Sequence, residues 1–396
     1  VSPPSSSLPA ALPRIWRWLW LGAALLLYFV LTLYQLGLPG LHYDEAKEAG
    51  VNAMELLTGA PLTAFRDATV TLAGAELPLM VQDYIGALNV YLALPPLGIS
   101  GIGVPNLRIV AILTGAATLL LLERSLSTWL ACLTGSPAAM DDHPVPMTLA
   151  GLMAMTLLAA SPSFIFWSRQ GIFVTNLMQP LTLLCIWQGL RWLRSGRSTA
   201  LWVSALAGGL ALYAKLLAVW VVGPFALLMF GWWIYARRHG HRLAPSLSFG
   251  AALGAGAAFL LPILPLLLFN IQTGGTWNSV GGSLGESYYG VNNLAIGQNF
   301  RVRAGQIGQL LRGDHLWYLG GIYANPMALW AGVALLLTGL WRRPSWLLAP
   351  LLLVALSFGA SLFTISDLFI THYALLHPLL VGLAGLSLHA WVCLLY

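Results

Sequence analysis

Ten stretches of this chain read as helices that cross a bilayer, a passage that takes about 20 mostly apolar residues with every backbone group bonded within its own segment. Their apolar cores lie near residues 15–36, 106–122, 148–167, 176–190, 199–213, 218–235, 243–269, 326–340, 346–363 and 373–394. The composition agrees. Hydrophobic residues make up 58% of the 396 and charged residues 8%, where a soluble domain carries about a quarter. Such a surface does not stay in water, so a disordered chain, a disulfide-stapled secreted scaffold and a basic nucleic-acid binder are excluded despite the formal charge of +6. Cys132, Cys185 and Cys393 are too far apart in sequence for a CxxC or zinc pattern. The expected fold class is an all-α polytopic membrane protein with about ten transmembrane helices and interfacial helices in its first outer loop.

Residues 1–13 are rich in Pro and Ser and read as a disordered tail; residues 14–396 read as one membrane domain. The first apolar run is too long for a cleaved signal peptide and no small-residue cleavage site follows it. The chain opens on Val1 and is still apolar at Tyr396, which leaves open a fragment at either end. With the N-terminus in the cytoplasm, eleven of the 19 basic residues fall in cytoplasmic segments, as the positive-inside rule asks. Of the 13 acids, only Glu123, Asp141 and Asp142 fall there. The two longest loops, 39–105 and 270–325, face the outer side with the other ten acids, so the chemistry is expected there. The expected location is a prokaryotic plasma membrane, crossed many times, with the active site outside.

Residues 37–59 read GLPGLHYDEAKEAGVNAMELLTG. A Pro/Gly turn leads to His42, Tyr43, Asp44 and Glu45, and the apolar spacing that follows predicts an amphipathic helix ended by Gly59. Asp44 stands where a helix N-cap belongs, with Glu45 in the first turn. Capping alone would explain both. Yet the same loop continues through LPLMVQDYIGALNVYL, which puts a second acid, Asp83, beside Tyr84 at the expected start of a second interfacial helix.

The Asp-Glu-Ala after the first transmembrane helix, the DYIGAL stretch and the order of helices together resemble the GT-C membrane glycosyltransferases of the protein O-mannosyltransferase and aminoarabinose-transferase type. The resemblance implies transfer of a sugar from a polyprenyl-phosphate donor to an acceptor hydroxyl or lipid on the outer face. No nucleic acid takes part. The partners are the lipid-linked donor, an acceptor the sequence does not identify, and the bilayer itself. No nucleotide-sugar cradle of GxGxxG type is present.

Displacing a lipid phosphate from an anomeric carbon needs a base for the acceptor and positive charge for the departing phosphate. Asp44 is the expected base, giving inversion, with Glu45 and Asp83 orienting sugar or acceptor hydroxyls and Tyr43 and Tyr84 beside them. Neighbouring helix residues point about 100° apart, so Asp44 and Glu45 alone make a poor chelate. No metal ligands are assigned, and a divalent metal stays open. The cations considered for phosphate are Arg169 in FWSRQGIF, Lys215 in LYAKLLAVW, and Arg301 and Arg303 in the second long loop. The last helix opens with His372 and Tyr373, where enzymes of this type often carry Arg-Tyr; a histidine there would make activity pH-sensitive. His377 reads as a packed helix residue. Trp277, Tyr288, Tyr289, Trp317 and Tyr318 suit either sugar stacking or a membrane-interface belt. The rival readings are a transporter or flippase for a lipid-linked or small solute, and a non-catalytic scaffold. The lack of a clear internal repeat and the clustering of acids in outer loops favour the enzyme.

Overall fold

The computed structural model describes residues 13–134, 145–170, 175–241, 243–286, 290–314, 316, 324–363 and 369–395. It is helical almost throughout. Helix α1 (Arg14–Leu33) leads into the first long loop, which holds α2 (Tyr43–Glu45), a π-helical turn (Ala46–Gly50), α3 (Val51–Thr58) and α4 (Leu88–Ser100). Then come α5 (Val104–Thr134), α6 (Leu149–Ala159), α7 (Pro162–Gln170), α8 (Thr175–Ser195), α9 (Ser198–Ala214) and α10 (Val219–Arg238). Helices α11 (Phe249–Leu260) and α12 (Leu264–Thr273) precede the second long loop, with α13 (Gly275–Gly282) and α14 (Ile296–Arg312); α15 (Pro326–Arg342), α16 (Pro344–Ser361) and α17 (His377–Leu395) close the chain.

All ten stretches expected to span are helical. Five are long and apolar enough to cross a membrane by themselves, and α6 with α7, bent by 66°, makes a sixth as a broken span. Helices α9, α15 and α17 are shorter apolar helices, and α8 buries Asn176, Gln179 and Gln188 against its neighbours. In the span Phe249–Thr273 only 6% of the apolar window is buried by protein, so lipid must cover the rest.

The 31-residue α5 is the spine on which α4, α6, α7 and α8 pack. Gly115 lets three helices meet there: a Cβ would lie 2.0 Å from the Tyr28 hydroxyl and 2.8 Å from the Ser168 hydroxyl. The bundle has two unlike ends. At one, Arg17 and Arg124 donate to the carbonyls of Met147 and Val145, at 3.0 Å each, and the helix-terminal arginines 191, 194, 237, 238, 342 and 343 gather. Among the described acids only Glu123 stands there; Asp141 and Asp142 lie outside the described residues. The other end carries both long loops.

The first loop departs from expectation at 69–86. Thr69–Leu72 (β1) pairs antiparallel with Ala75–Pro78 (β2), and Met80–Gln82 (β3) with Ile85–Gly86 (β4). Ala73 and Gly74 both take positive φ, 51° and 84°, the two-residue turn whose twist suits a hairpin. Asp83 therefore sits in the β3–β4 turn, and the interfacial helix begins only at Leu88.

Candidate active site

The turn that carries Asp44 is held by two arginines from the bundle. Arg108, 1% exposed on α5, donates from Nε and Nη2 to Glu45 Oε1 and Oε2, at 2.8 Å each. Its remaining hydrogens reach the carbonyls of Leu36 (2.6 Å), Leu38 (3.4 Å) and Gly40 (3.0 Å), so all five guanidinium donors are used. Arg169, at the end of α7, donates to the carbonyls of Tyr34, Gln35 and Leu38 at 2.8, 2.7 and 3.2 Å. The chain between α1 and α2 is thereby tied to α5 and α7.

Asp44 does not cap its helix. His42 does: its Nδ1 accepts from the Asp44 backbone N–H at 3.2 Å, and its own N–H donates to Glu45 Oε2 at 2.9 Å. The helix starts two residues earlier than expected, because the imidazole fills the acceptor role and Glu45 closes the reciprocal box. Asp44 moves to the second helical position, where its carboxylate is spared from capping and stays a quarter exposed, with Oδ2 3.8 Å from His42 Nδ1. Four residues on, and so on the same helix face, Glu48 is buried within the π turn.

Lys215 stands opposite. Helix α9 ends at Ala214, and Lys215 takes an extended backbone (φ −159°, ψ 129°) before the chain turns into α10. The Leu216 N–H bonds the Tyr84 carbonyl at 3.0 Å, which fastens this break to the first loop. Lys215 is buried; that burial pulls its ammonium below the usual lysine range, opposed by the charges of Glu48 and then Asp44. His372 completes the group from the short helical turn before α17. Its Nδ1 lies 3.1 Å from the Phe369 N and 3.2 Å from the Phe369 carbonyl oxygen, so the ring is anchored through that nitrogen. Burial and the nearby Lys215 charge bring its pKa down to about 3, so the ring is neutral near pH 7. These charges couple a partly exposed carboxylate to a desolvated ammonium and, through it, to a neutral imidazole. The group can accept a proton at one side and hold an anion at the other.

No protein-family model matches this sequence, and no curated protein matches it. Solved structures do. ArnT from Cupriavidus metallidurans bound to undecaprenyl phosphate superposes with a TM-score of 0.55 at 15% identity, over 95% of this chain and 60% of that one. The apo state of the same ArnT gives 0.54 at 14% identity, over 94% and 59%. The chain shares the fold of this ArnT, the GT-C fold. It spans about 60% of the length of the ArnT chain it matches.

Within this GT-C fold the residues singled out from sequence separate into groups. Asp44, Lys215 and His372 come together. Glu45 is turned away, both oxygens committed to Arg108. Asp83 is held by Arg66, Nε to Oδ1 at 2.8 Å and Nη2 to Oδ2 at 2.9 Å, and its carbonyl accepts from Thr276, which joins the two long loops. Gly275 permits that joint: a Cβ would lie 2.7 Å from Asp83 Oδ1. Tyr43 is exposed, with Lys47 over its ring at 5.7 Å, whereas Tyr84 is half-buried. Arg301 is exposed on α14. Arg303 is buried and donates to the Ser361 carbonyl.

Tyr373 is fully buried, its ring 5.8 Å from that of Trp220. His377 is buried against Ser161 at 3.3 Å, as expected of a packed residue. Trp277 is exposed; Tyr288, Tyr289, Trp317 and Tyr318 lie outside the described residues.

Glu48, Arg66 and Arg108 are not singled out by sequence reading. Glu48 carries a legible sign, the four-residue spacing from Asp44. Arg108 carries another, an ionisable group inside an apolar span. Arg66 has none, because its partner Asp83 is 17 residues away, past the first hairpin and in the turn of the second. Among the described residues no group of three or more His, Cys, Asp and Glu could hold a metal ion.

Proposed function

We propose that this protein transfers a sugar from a polyprenyl-phosphate donor to an acceptor hydroxyl or lipid, at the outer face of a prokaryotic plasma membrane. The observation that carries the reading is Asp44, a carboxylate free of capping duty, set in one cluster with Lys215 in the fold of ArnT. ArnT itself binds undecaprenyl phosphate, which supports the same donor class here. The outer location rests on the charge asymmetry of the two ends, since the arginine-rich end suits the cytoplasmic side.

In this reading Asp44 takes the proton from the acceptor hydroxyl. The freed oxygen bonds to the anomeric carbon as the carbon–oxygen bond to the lipid phosphate breaks, and polyprenyl phosphate leaves with the electron pair. A single displacement of this kind inverts the anomeric centre. Lys215 receives the charge that develops on the phosphate, and the neutral His372 ring stands beside it. A phosphate needs no strong acid to leave, so an imidazole that stays unprotonated is no handicap. Glu45 positions rather than reacts: through Arg108 it fixes the turn that aims Asp44. Asp83 and Arg66 hold the loops that would border an acceptor, with Tyr43, Tyr84 and Arg301 at the same end; Arg169, Arg303 and Tyr373 support the surrounding backbone and core.

The deciding experiment incubates purified protein with a panel of radiolabelled polyprenyl-phosphate sugars. Release of polyprenyl phosphate from one donor, lost in Asp44→Asn, is the expected result. Turnover of none of them, by protein shown to be folded, would overturn the reading.

A further inference from the structure

The half of the bundle away from Asp44 contains a cavity of about 700 Å³ between α5, α8, α10, α16 and the start of α17. Among the described residues no charged side chain lines it. Trp129, Leu193 and Phe225 are representative of its wall, and Leu227, Tyr235 and Leu348 at its edge are exposed on the lateral, lipid-facing surface. Along α10 the lining runs from Phe225 to Tyr235 and along α16 from Ser345 to Leu353. At 1.5 Å per residue these are paths of roughly 12–15 Å, about half the 30 Å hydrocarbon core of a bilayer. The hollow is one leaflet deep.

The end of the cavity at the arginine-rich side of the bundle is basic. Arg191 follows the lining Leu190, Arg237 lies two residues past Tyr235, and Arg343 two residues before Ser345. Each guanidinium lies over a tryptophan ring, at 5.5 Å from Trp187, 6.0 Å from Trp233 and 5.4 Å from Trp346. Planar cations braced on indoles at helix ends sit where headgroups do. The one described acid at this end, Glu123, is engaged by Arg124 at 3.2 Å and Ser127 at 2.6 Å, so it does not offset them.

We propose that this cavity binds one acyl chain of an anionic phospholipid drawn from the leaflet at the arginine end, with the lipid phosphate held among Arg191, Arg237 and Arg343. Depth selects the chain and charge selects the head. A donor whose phosphate lies at Lys215 enters from the opposite end, so its isoprenoid tail is a different occupant. The bound lipid fills the seam between α10 and α16, which the protein's own side chains leave open.

The test uses the full chain reconstituted in phosphatidylcholine vesicles doped with phosphatidylglycerol, either lipid carrying brominated acyl chains. Brominated phosphatidylglycerol should quench tryptophan fluorescence more than brominated phosphatidylcholine at equal mole fraction, and replacing the lining Trp129 and Trp232 by Phe should remove the excess. Native mass spectrometry supplies a second readout: Ala349→Trp, which fills the cavity from an exposed lining position, should lose retained phosphatidylglycerol. Arg237→Gln and Arg343→Gln should each weaken the preference for phosphatidylglycerol about fivefold. Equal quenching by the two lipids overturns the proposal, as does displacement of phosphatidylglycerol by polyprenyl phosphate. Unchanged retention in a folded Ala349→Trp also overturns it; should that variant not fold, the quenching comparison on the unmodified protein decides.

Discussion

Glu45 and Asp44 are neighbours in sequence and opposites in circumstance. The Glu45 carboxylate is buried and meets a guanidinium whose five donors are all used, so the pair is saturated and has no capacity left for a substrate. Asp44, one residue away, keeps part of its carboxylate in the open and shares a field with Glu48 and Lys215. The first region spends its charge on shape. The second has no such bidentate pair at Asp44, whose carboxylate stays partly exposed, as the proposed transfer would require.

Breaking the saturated region should have the largest effect. Arg108→Met leaves the buried Glu45 carboxylate without its cation and with only the His42 N–H as partner, an expected loss of about 3–5 kcal/mol, enough to unfold much of the protein; the check is thermal unfolding in detergent. Asp44→Asn should melt within a few degrees of the parent, because His42 rather than Asp44 caps the helix, yet lower sugar transfer by about 10²–10⁴-fold. A large loss of stability in Asp44→Asn would contradict the division between the two regions.

Next in size, Lys215→Gln should raise the donor KM more than the acceptor KM, by about tenfold, the scale of one charge-assisted hydrogen bond. An equal rise in both would remove Lys215 from the phosphate. His372 sharpens the comparison through pH. Its pKa falls from 6.5 to about 3 on folding, so below pH 6.5 the unfolded state binds a proton that the native state refuses. Its contribution should therefore weaken the fold as pH drops from 6.5 towards 3, and His372→Asn should flatten that slope while leaving no His372 step in activity between pH 7 and 8. The smallest effect belongs to Arg66→Gln. That guanidinium is 44% exposed, so losing the bridge to Asp83 should cost under about 1 kcal/mol in unfolding, while loosening the contact between the long loops.

Much of the fold is legible in the chain itself. Apolar runs of bilayer length, arginines at alternate helix ends and acids in the two long loops follow from local composition, and the helices form where those runs predict. Asp44 is legible too, since a carboxylate just past the first span is conspicuous. The hairpins at 69–86 are less so: TVTLAGAELP carries β-branched alternation and an Ala-Gly turn, but the DYIGAL stretch after it suggests a helix start.

The roles of the charges were decided by tertiary structure alone. Arg169 and Arg108 have the same side chain and similar apolar flanks, and nothing in sequence says that both grip the carbonyls between α1 and α2. Glu45 and Glu48 differ by three residues, and only the π turn and the approach of α5 and the α9 break determine that one pairs with Arg108 while the charge of the other acts on Lys215. Hydropathy is a property of a segment and can be summed along the chain. An ion pair depends on which distant segments lie within a few ångströms, and that distance exists only once the helices have packed.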